Sequence, residues 1–249
     1  MSTGLLGRHT EAVRSDLREA CEAEWYRLGR PGQWWSGAER VAIAAEVRAA
    51  RACSLCRERR ARVSAPGPGG HQDRGPLPAA AVDAVHRITT DPGRLTSRWY
   101  ESVLEGGVSA EQFVELVGVV AATVMVDTLA LGLGVSPPPL PAPEPGEPGR
   151  IRPAGIAVHS AWVPTVVPEE AEGELASFYE LMKYSPFVPN RPDIVGFVPN
   201  ITRALTLVPP EQFGFAGFLM SAYLSIRDLS EPQQQLLAAT VSTANDCFY

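Results

Sequence analysis

The sequence predicts an all-α fold, and three observations support this prediction. Nearly every periodic segment has the 3.6-residue spacing of apolar side chains that is typical of helices. No convincing run of alternating apolar and polar residues is flanked by hairpin turns, as a β-strand would require. Serine-led capping boxes precede several Ala/Leu/Val-rich stretches, which indicates helix starts. At 249 residues, the chain has room for two domains, each with its own core.

Six helices are predicted in the first half of the chain. The first is amphipathic, with one apolar stripe formed by Val13, Leu17, Cys21, Trp25 and Leu28. Ser36 and Ser109 begin the capping boxes of the second and the last helix. Residues 65–78 are dominated by Pro and Gly, which predicts a long loop. The predicted helices cover residues 9–28, 38–50, a short stretch around 53–60, and then 77–89, 94–105 and 111–131.

A proline-rich segment divides the sequence. Residues 136–153 hold seven prolines before Arg150 and one at Pro153, which predicts a stiff, extended linker. We therefore predict a first unit over residues 1–134, a linker over 135–155 and a second unit over 156–249. Helices predicted in the second unit cover residues 169–183, 201–207, 210–226 and 231–245.

Two cysteines separated by two residues are the most reactive motif of the chain. Cys53 and Cys56 end an alanine-rich helical run and are followed at once by Arg57, Arg59 and Arg60. The thiolate is the reactive form of cysteine, and a C-x-x-C pair near cationic side chains commonly has a lowered pKa. A zinc site needs about four ligands. Because the chain has no second C-x-x-C and no paired histidines, we expect neither a metal nor a cofactor.

The frame of this motif recurs near the carboxyl end. Ser36 precedes Cys53 by 17 positions, and Ser230 precedes Cys247 by 17. In each case the serine opens a capping box before an apolar stretch. The partner of Cys247 would be the residue after Tyr249, so we expect the sequence to be cut inside its second motif.

Residues 229–249, LSEPQQQLLAATVSTANDCFY, resemble the helix and thiol motif of the carboxymuconolactone decarboxylase and alkylhydroperoxidase D-like superfamily. The similarity is greatest to its peroxidase-related branch, whose motif continues with a second cysteine and then a histidine. Val163-Pro164, the acidic segment 169–179 and residues 198–201 fit the same pattern. The resemblance covers about residues 159–249, and residues 9–134 resemble the fold more distantly through 36–56 and 108–134.

The resemblance implies an all-α bundle that usually oligomerises, with two tandem units of which the second is incomplete. It also implies a thiol-dependent peroxidase or thiol–disulfide oxidoreductase that needs a peroxide substrate and a separate thiol or dithiol reductant. Cys56 would attack the peroxide, and Cys53 would resolve the sulfenic acid into a disulfide. In a longer parent, Cys247 would be functional.

The proton-transfer residues of that family do not carry over. The family glutamate, twelve residues before the first cysteine, is Val41 in the first unit and Gln235 in the second. The family histidine, four residues after the second cysteine, is Arg60. The proton relay is therefore either absent or rebuilt from other residues.

Glu46 and His86 are the candidates for a rebuilt relay. Glu46 precedes Cys53 by seven residues, which in a continuous helix is about 10 Å along the axis and too far for direct proton transfer. A helix break before Cys53 would let Glu46 fold back. Arg57 or Arg60 could instead stabilise a thiolate by charge alone. The other histidines are expected to be solvent-exposed: His9, His71 and His159.

Charge and hydropathy exclude some classes of function. A net charge of −6 and a pI near 5.3 argue against nucleic acid or an anionic membrane as a partner. The start of the chain lacks a signal peptide, and the apolar block at 116–125 is too short for a membrane helix. We therefore expect a cytoplasmic protein. Two alternatives stay open: an acid–base enzyme of the decarboxylase kind, and a non-catalytic unit that supports the second one.

Overall fold

The computed structural model describes residues 5–7, 11, 13–62, 70–71, 75–158, 161–183, 198, 200–223 and 228–244. The described residues before the proline-rich segment form α1 (Ser15–Arg27), α2 (Gly37–Ala52), α3 (Ser54–Ala61), α4 (Ala79–Thr90), α5 (Ser97–Glu105) and α6 (Ala110–Gly132). Those after it form α7 (Gly173–Lys183), α8 (Pro209–Tyr223) and α9 (Glu231–Ala244). The all-α prediction is confirmed.

The predicted capping boxes form at both serines of the first unit. The side chain of Ser36 accepts a hydrogen bond from the backbone of Glu39, and the Glu39 carboxylate accepts one from the backbone of Ser36. Ser109 and Gln112 make the same reciprocal pair at the start of α6. Each box satisfies backbone donors that the first turn of a helix leaves unpaired.

Two details of the second half differ from the prediction. Antiparallel strands β1 (Ile156–Ala157) and β2 (Thr165–Val166) pair with each other, and two residues each are too few to show an alternating pattern. The helix predicted over 201–207 is instead one helical turn at Asn200–Thr202 followed by further turns. Leu205 and Leu207 are still buried and, with Val208, pack against Val114 of α6, whereas Ile201 is exposed.

Helix α6 lies at the centre and packs against α1, α2, α4 and α8. By length and composition it could cross a membrane, but 61% of its most apolar window is buried inside the fold. The buried part of α6 extends beyond residues 116–125. The acidic residues at the two ends of this apolar block are also buried, and each has a partner. Asp127 accepts from Arg48 at 2.7 Å, and Glu115 accepts from Arg40. This is the burial expected of a core helix.

The proline-rich segment is extended and lies along the first unit. Its backbone donates to the turn after α1, from Glu144 to Gly29 at 2.7 Å and from Gly149 to Gly32 at 3.0 Å. Arg150 donates in the same way to the carbonyl of Gln33 at 2.9 Å. The segment is therefore held against residues 29–33, and the division of the chain into two units stays a prediction.

A buried cluster of charges joins α8 to the first unit. Arg27 of α1 holds both carboxylate oxygens of Glu211 at 2.7 Å, and Arg40 of α2 donates to the same carboxylate at 2.7 Å. Burial would raise the pKa of Glu211, but the guanidiniums of Arg40 and Arg27 outweigh it and lower the pKa to about 2. The carboxylate is therefore charged and fully paired at neutral pH.

Glu211→Gln should destabilise the protein, because it leaves two guanidiniums in the interior with less than their full charge compensation. Removing one partner of a buried ion pair typically costs about 3 kcal/mol or more. Urea unfolding should show a lower midpoint for this variant. Glu144→Gln is the matched control, since its partner Arg30 is 3.3 Å away and both side chains are more than half exposed. Equal midpoints for the two variants would contradict a stabilising cluster.

Candidate functional site

The helix breaks at Cys53. Helix α2 ends at Ala52, Cys53 has an extended backbone with φ −69° and ψ 123°, and α3 begins at Ser54. Cys53 is thus the residue that precedes the first turn of α3, and its sulfur receives a hydrogen bond from the backbone N–H of Cys56. A helix start offers free N–H groups and a positive dipole end, both of which favour a thiolate.

Both cysteines have polar neighbours. Cys53 is half-buried, whereas Cys56 on α3 is only 2% exposed. The Sγ atom of Cys53 lies 3.6 Å from Nδ1 of His71, and the Sγ atom of Cys56 lies 3.3 Å from Nδ1 of His86. The four ligand atoms of these residues all lie within 4.8 Å of one another. We call these four residues the thiol site.

Three of the predicted site residues form one buried chain, which we call the inner triad: Cys56, His86 and Glu46. Nε2 of His86 lies 2.8 Å from Oε2 of Glu46. A carboxylate only accepts, so the ring proton of a neutral His86 is on Nε2 and the Nδ1 lone pair faces the thiol of Cys56. Glu46 therefore reaches the cysteines through His86, because α4 packs along α2.

A second chain, the outer triad, consists of Cys53, His71 and Asp83. Nε2 of His71 lies 3.1 Å from Oδ1 of Asp83, and Arg59 donates to the same oxygen at 2.7 Å. The prediction that His71 is solvent-exposed was wrong, since its side chain is only 3% exposed. Its ring also contacts that of His86, with centroids 4.0 Å apart and ring planes tilted by 44°.

One signal in the sequence could have indicated the outer triad. Asp83 precedes His86 by three residues on α4, so both side chains project from the same face of that helix. His71 itself carries no comparable signal, because a residue in a Pro/Gly-rich loop has no periodicity. Its position depends on contacts with Cys53, with Arg59 of α3 and with Asp83 of α4.

The two triads give the thiols different pKa values. Burial raises the pKa of Cys56 to about 11, and the neighbouring Cys53 adds to this shift. Burial acts against Cys53 as well, but hydrogen bonds from the backbone N–H of Cys56 and from His71 outweigh it and lower the pKa of Cys53. The thiolate is therefore favoured on Cys53, whereas the resemblance implies that Cys56 attacks.

The histidines differ in the same sense. The hydrogen bond to Asp83 raises the pKa of His71 despite its burial, whereas burial lowers the pKa of His86 in spite of Glu46. Both shifts favour a Cys53 thiolate beside an imidazolium at His71. The inner triad then holds a neutral His86 beside a protonated Cys56.

The remaining candidates are less involved. Arg57 and Arg60 are exposed, and the buried arginine of α3 is Arg59, which pairs with Asp83. Cys21 is fully buried in the main core as predicted, and burial raises its pKa to about 12. Cys247, His9 and His159 lie outside the residues that the structure describes.

A surface cleft of about 680 Å³ lies elsewhere. It is bordered by the proline-rich segment, α7 and the start of α8, with Arg152, Leu175 and Phe213 among its lining residues. None of its lining residues belongs to the thiol site. It therefore does not serve the two triads as a substrate pocket.

The arrangement defines a class of site: a vicinal dithiol in which each sulfur faces a carboxylate-bound histidine. Such a site can carry out dithiol–disulfide chemistry, and its two sulfurs and two imidazoles are also ligands that a metal ion could take. In comparisons with known proteins, no family model, no curated protein and no solved structure matches the chain. The superfamily resemblance of residues 159–249 stays a prediction.

Alkylation as a function of pH should separate the two thiols. In chelator-treated protein with Cys247→Ser as background, Cys56→Ser leaves Cys53 to react with a midpoint below the ordinary pKa of 9.0. With Cys53→Ser, Cys56 should react with a midpoint above 9.0, because burial still raises its pKa although the contribution of Cys53 is lost. The reason is that only the thiolate reacts, so the lower pKa gives reactivity at lower pH. Mass spectrometry of iodoacetamide adducts measures both midpoints, and coinciding midpoints would contradict the assignment.

Proposed function

We propose that the protein is a dithiol oxidoreductase that reduces a peroxide and in which Cys53 and Cys56 cycle between dithiol and disulfide. The observation that carries this proposal is the pair of triads. Each sulfur faces the Nδ1 atom of a histidine whose Nε2 atom is held by a carboxylate. A thiolate needs a proton acceptor or donor of this kind at each step of the cycle.

In the first step, the thiolate of Cys53 attacks one oxygen of the peroxide ROOH. The O–O bond breaks, Cys53 becomes a sulfenic acid, and the leaving RO⁻ takes the proton of the His71 imidazolium to become ROH. Asp83 orients His71 and stabilises its charge, as a carboxylate does in other thiol–imidazole pairs. Cys53 suits this step because it is the more exposed of the two cysteines.

In the second step, neutral His86 accepts the thiol proton of Cys56 at Nδ1. The new thiolate attacks the sulfur of the Cys53 sulfenic acid, the S–S bond forms, and hydroxide leaves with the proton of His86 as water. Glu46 stabilises the transient imidazolium of His86. Two electrons have then passed from the two sulfurs to the peroxide, and a separate thiol or dithiol must return them.

The partners and the location belong to the same proposal. A reducing, cytoplasmic setting agrees with the free thiols of Cys21, Cys53 and Cys56. Exposed apolar side chains on α9 support a homo-oligomer: Leu236, Leu237 and Val241. Peroxide as the oxidant is supported by the resemblance to the peroxidase-related branch alone.

Stoichiometric oxidation should distinguish the two cysteines. In chelator-treated Cys247→Ser protein, each equivalent of peroxide should remove two thiols and leave Cys21 reduced. Adding Cys56→Ser should stop the reaction at a sulfenic acid on Cys53, which dimedone traps. Adding Cys53→Ser should slow the reaction about 10-fold or more, because burial raises the pKa of the remaining Cys56 thiol above 9.0 and so leaves less thiolate at neutral pH.

The outcomes separate the parts of the proposal. If the parent protein loses no thiols, the oxidoreductase proposal fails and the non-catalytic alternative is favoured. If the Cys53→Ser variant instead accumulates a sulfenic acid on Cys56 and Cys56→Ser abolishes the reaction, the dithiol cycle stands. Cys56 is then the attacking and Cys53 the resolving cysteine, as the resemblance implies.

Glu46→Gln should slow the second step selectively, because Glu46 acts on Cys56 through His86. The sulfenic acid of Cys53 should form at the parent rate and then accumulate, with disulfide closure slowed about 10-fold or more. Stopped-flow measurement gives the rate of sulfenic acid formation and the rate of disulfide closure separately. Glu58→Gln, an exposed glutamate of α3, is the control and should leave both phases unchanged. An equal loss in both phases would indicate a structural effect and remove the assigned positioning function of Glu46.

A further inference from the structure

The four residues of the thiol site satisfy the requirements of a zinc centre. Their ligand atoms are two thiol sulfurs and two imidazole nitrogens, which is the Cys₂His₂ set of tetrahedral zinc sites. Zinc bonds of about 2.3 Å to sulfur and about 2.0 Å to nitrogen place a sulfur and a nitrogen of one tetrahedron about 3.5 Å apart. The observed distances are 3.6 Å from Cys53 to His71 and 3.3 Å from Cys56 to His86.

The surroundings of the four ligands point to a metal independently. In zinc sites, the nitrogen of a ligating histidine that faces away from the metal donates its proton to a carboxylate or a carbonyl. Both histidines here do so, His71 to Asp83 at 3.1 Å and His86 to Glu46 at 2.8 Å. Each Nδ1 atom is thereby left free on the side of the sulfurs. Two such pairs that converge on one dithiol provide both the four ligand atoms and the outer hydrogen bonds of a zinc site.

The charges around the site are compatible with a divalent cation. Two thiolates neutralise the ion, and the Arg59 guanidinium neutralises Asp83 at 2.7 Å. Arg59 and the Nε2 atom of His71 are 3.3 Å apart because both donate to the same oxygen of Asp83. Glu46 is then the remaining charge, and it accepts from His86.

We infer that the reduced protein binds one zinc ion through Cys53, Cys56, His71 and His86, and that disulfide formation releases it. The release rests on the proposed function. With peroxide as oxidant, the two zinc-bound thiolates give up two electrons and the S–S bond forms, and ROOH takes these electrons and two protons from solvent to become ROH and water. The zinc ion leaves unchanged, because a disulfide supplies no thiolate ligand.

Cobalt substitution tests the site directly. Full-length reduced protein with Cys247→Ser is titrated with Co²⁺ under anaerobic conditions. One equivalent should give the intense visible bands of tetrahedral cobalt together with thiolate-to-metal charge transfer, and Zn²⁺ should displace it. Weak bands of octahedral cobalt, or no saturation at one equivalent, would overturn the inference.

Variants connect the spectrum to the four residues. Asp83→Asn and Glu46→Gln should weaken zinc binding about 10–100-fold, as the loss of outer carboxylates does, and His71→Gln should weaken it further. Competition with a chromophoric chelator measures these affinities. Glu58→Gln, at an exposed position of α3, is the matched control for the carboxylate variants and should bind zinc as the parent does. An unchanged affinity in His71→Gln would overturn the four-ligand site, whatever its effect on peroxide reduction.

A last measurement separates this inference from the proposed function. Peroxide added to the zinc-loaded protein should release one zinc for each pair of thiols lost. If metal-free protein reduces peroxide but no tetrahedral cobalt complex forms, the zinc inference fails and the oxidoreductase stands. If zinc binds and peroxide removes no thiols from the metal-free protein, the zinc site stands and both the oxidoreductase and the release fail.

Discussion

The structure depends on the burial of ionisable groups on α2. Arg40 is fully buried and Glu46 is 5% exposed, and a charge inside a protein is tolerated only when a partner compensates it. Arg40 finds its partners in Glu115 of α6 and Glu211 of α8, and Glu46 finds its partner in His86 of α4. The two groups are six residues apart on one helix and thus fix three other helices around it. The same constraint that orders the core also brings His86 to the thiols.

The break at Cys53 makes the two sulfurs chemically different. If α2 continued through the motif, Cys53 would lose its place before the first turn of α3 and the hydrogen bond from the N–H of Cys56. The break leaves Cys53 half-buried beside His71, and it directs Cys56 inward to His86. One thiol is therefore favoured as a thiolate and the other as a thiol. A dithiol cycle needs this difference, because one sulfur must attack before the other.

Local sequence signals predicted most of the helices but only part of the site. The capping boxes at Ser36 and Ser109 and the 3.6-residue spacing each depend on one segment of the chain. The corresponding helices therefore form where the sequence predicts them. Glu46 and His86 could be chosen as candidates from the sequence. Their contact, however, joins residues 40 positions apart and results from the packing of α4 against α2. His71 was missed because a loop has no periodicity, and the two histidines lack the short spacing of familiar zinc motifs. The expectation of no metal rested on that spacing, which a fold can replace by packing.

The proposed dithiol–disulfide cycle and the inferred zinc binding would use the same sulfurs at different separations. A disulfide requires about 2.05 Å between them, whereas tetrahedral zinc holds them about 3.8 Å apart. The two states therefore exclude each other, and a small displacement of Cys53 separates them. Cys53 can undergo this displacement because it lies outside both helices, whereas Cys56 is held within α3. The imidazoles need not move, since an Nδ1 lone pair that faces the sulfurs accepts a proton or a metal ion equally well. The carboxylates of Asp83 and Glu46 orient these lone pairs in both states, so that one set of hydrogen bonds supports both chemistries.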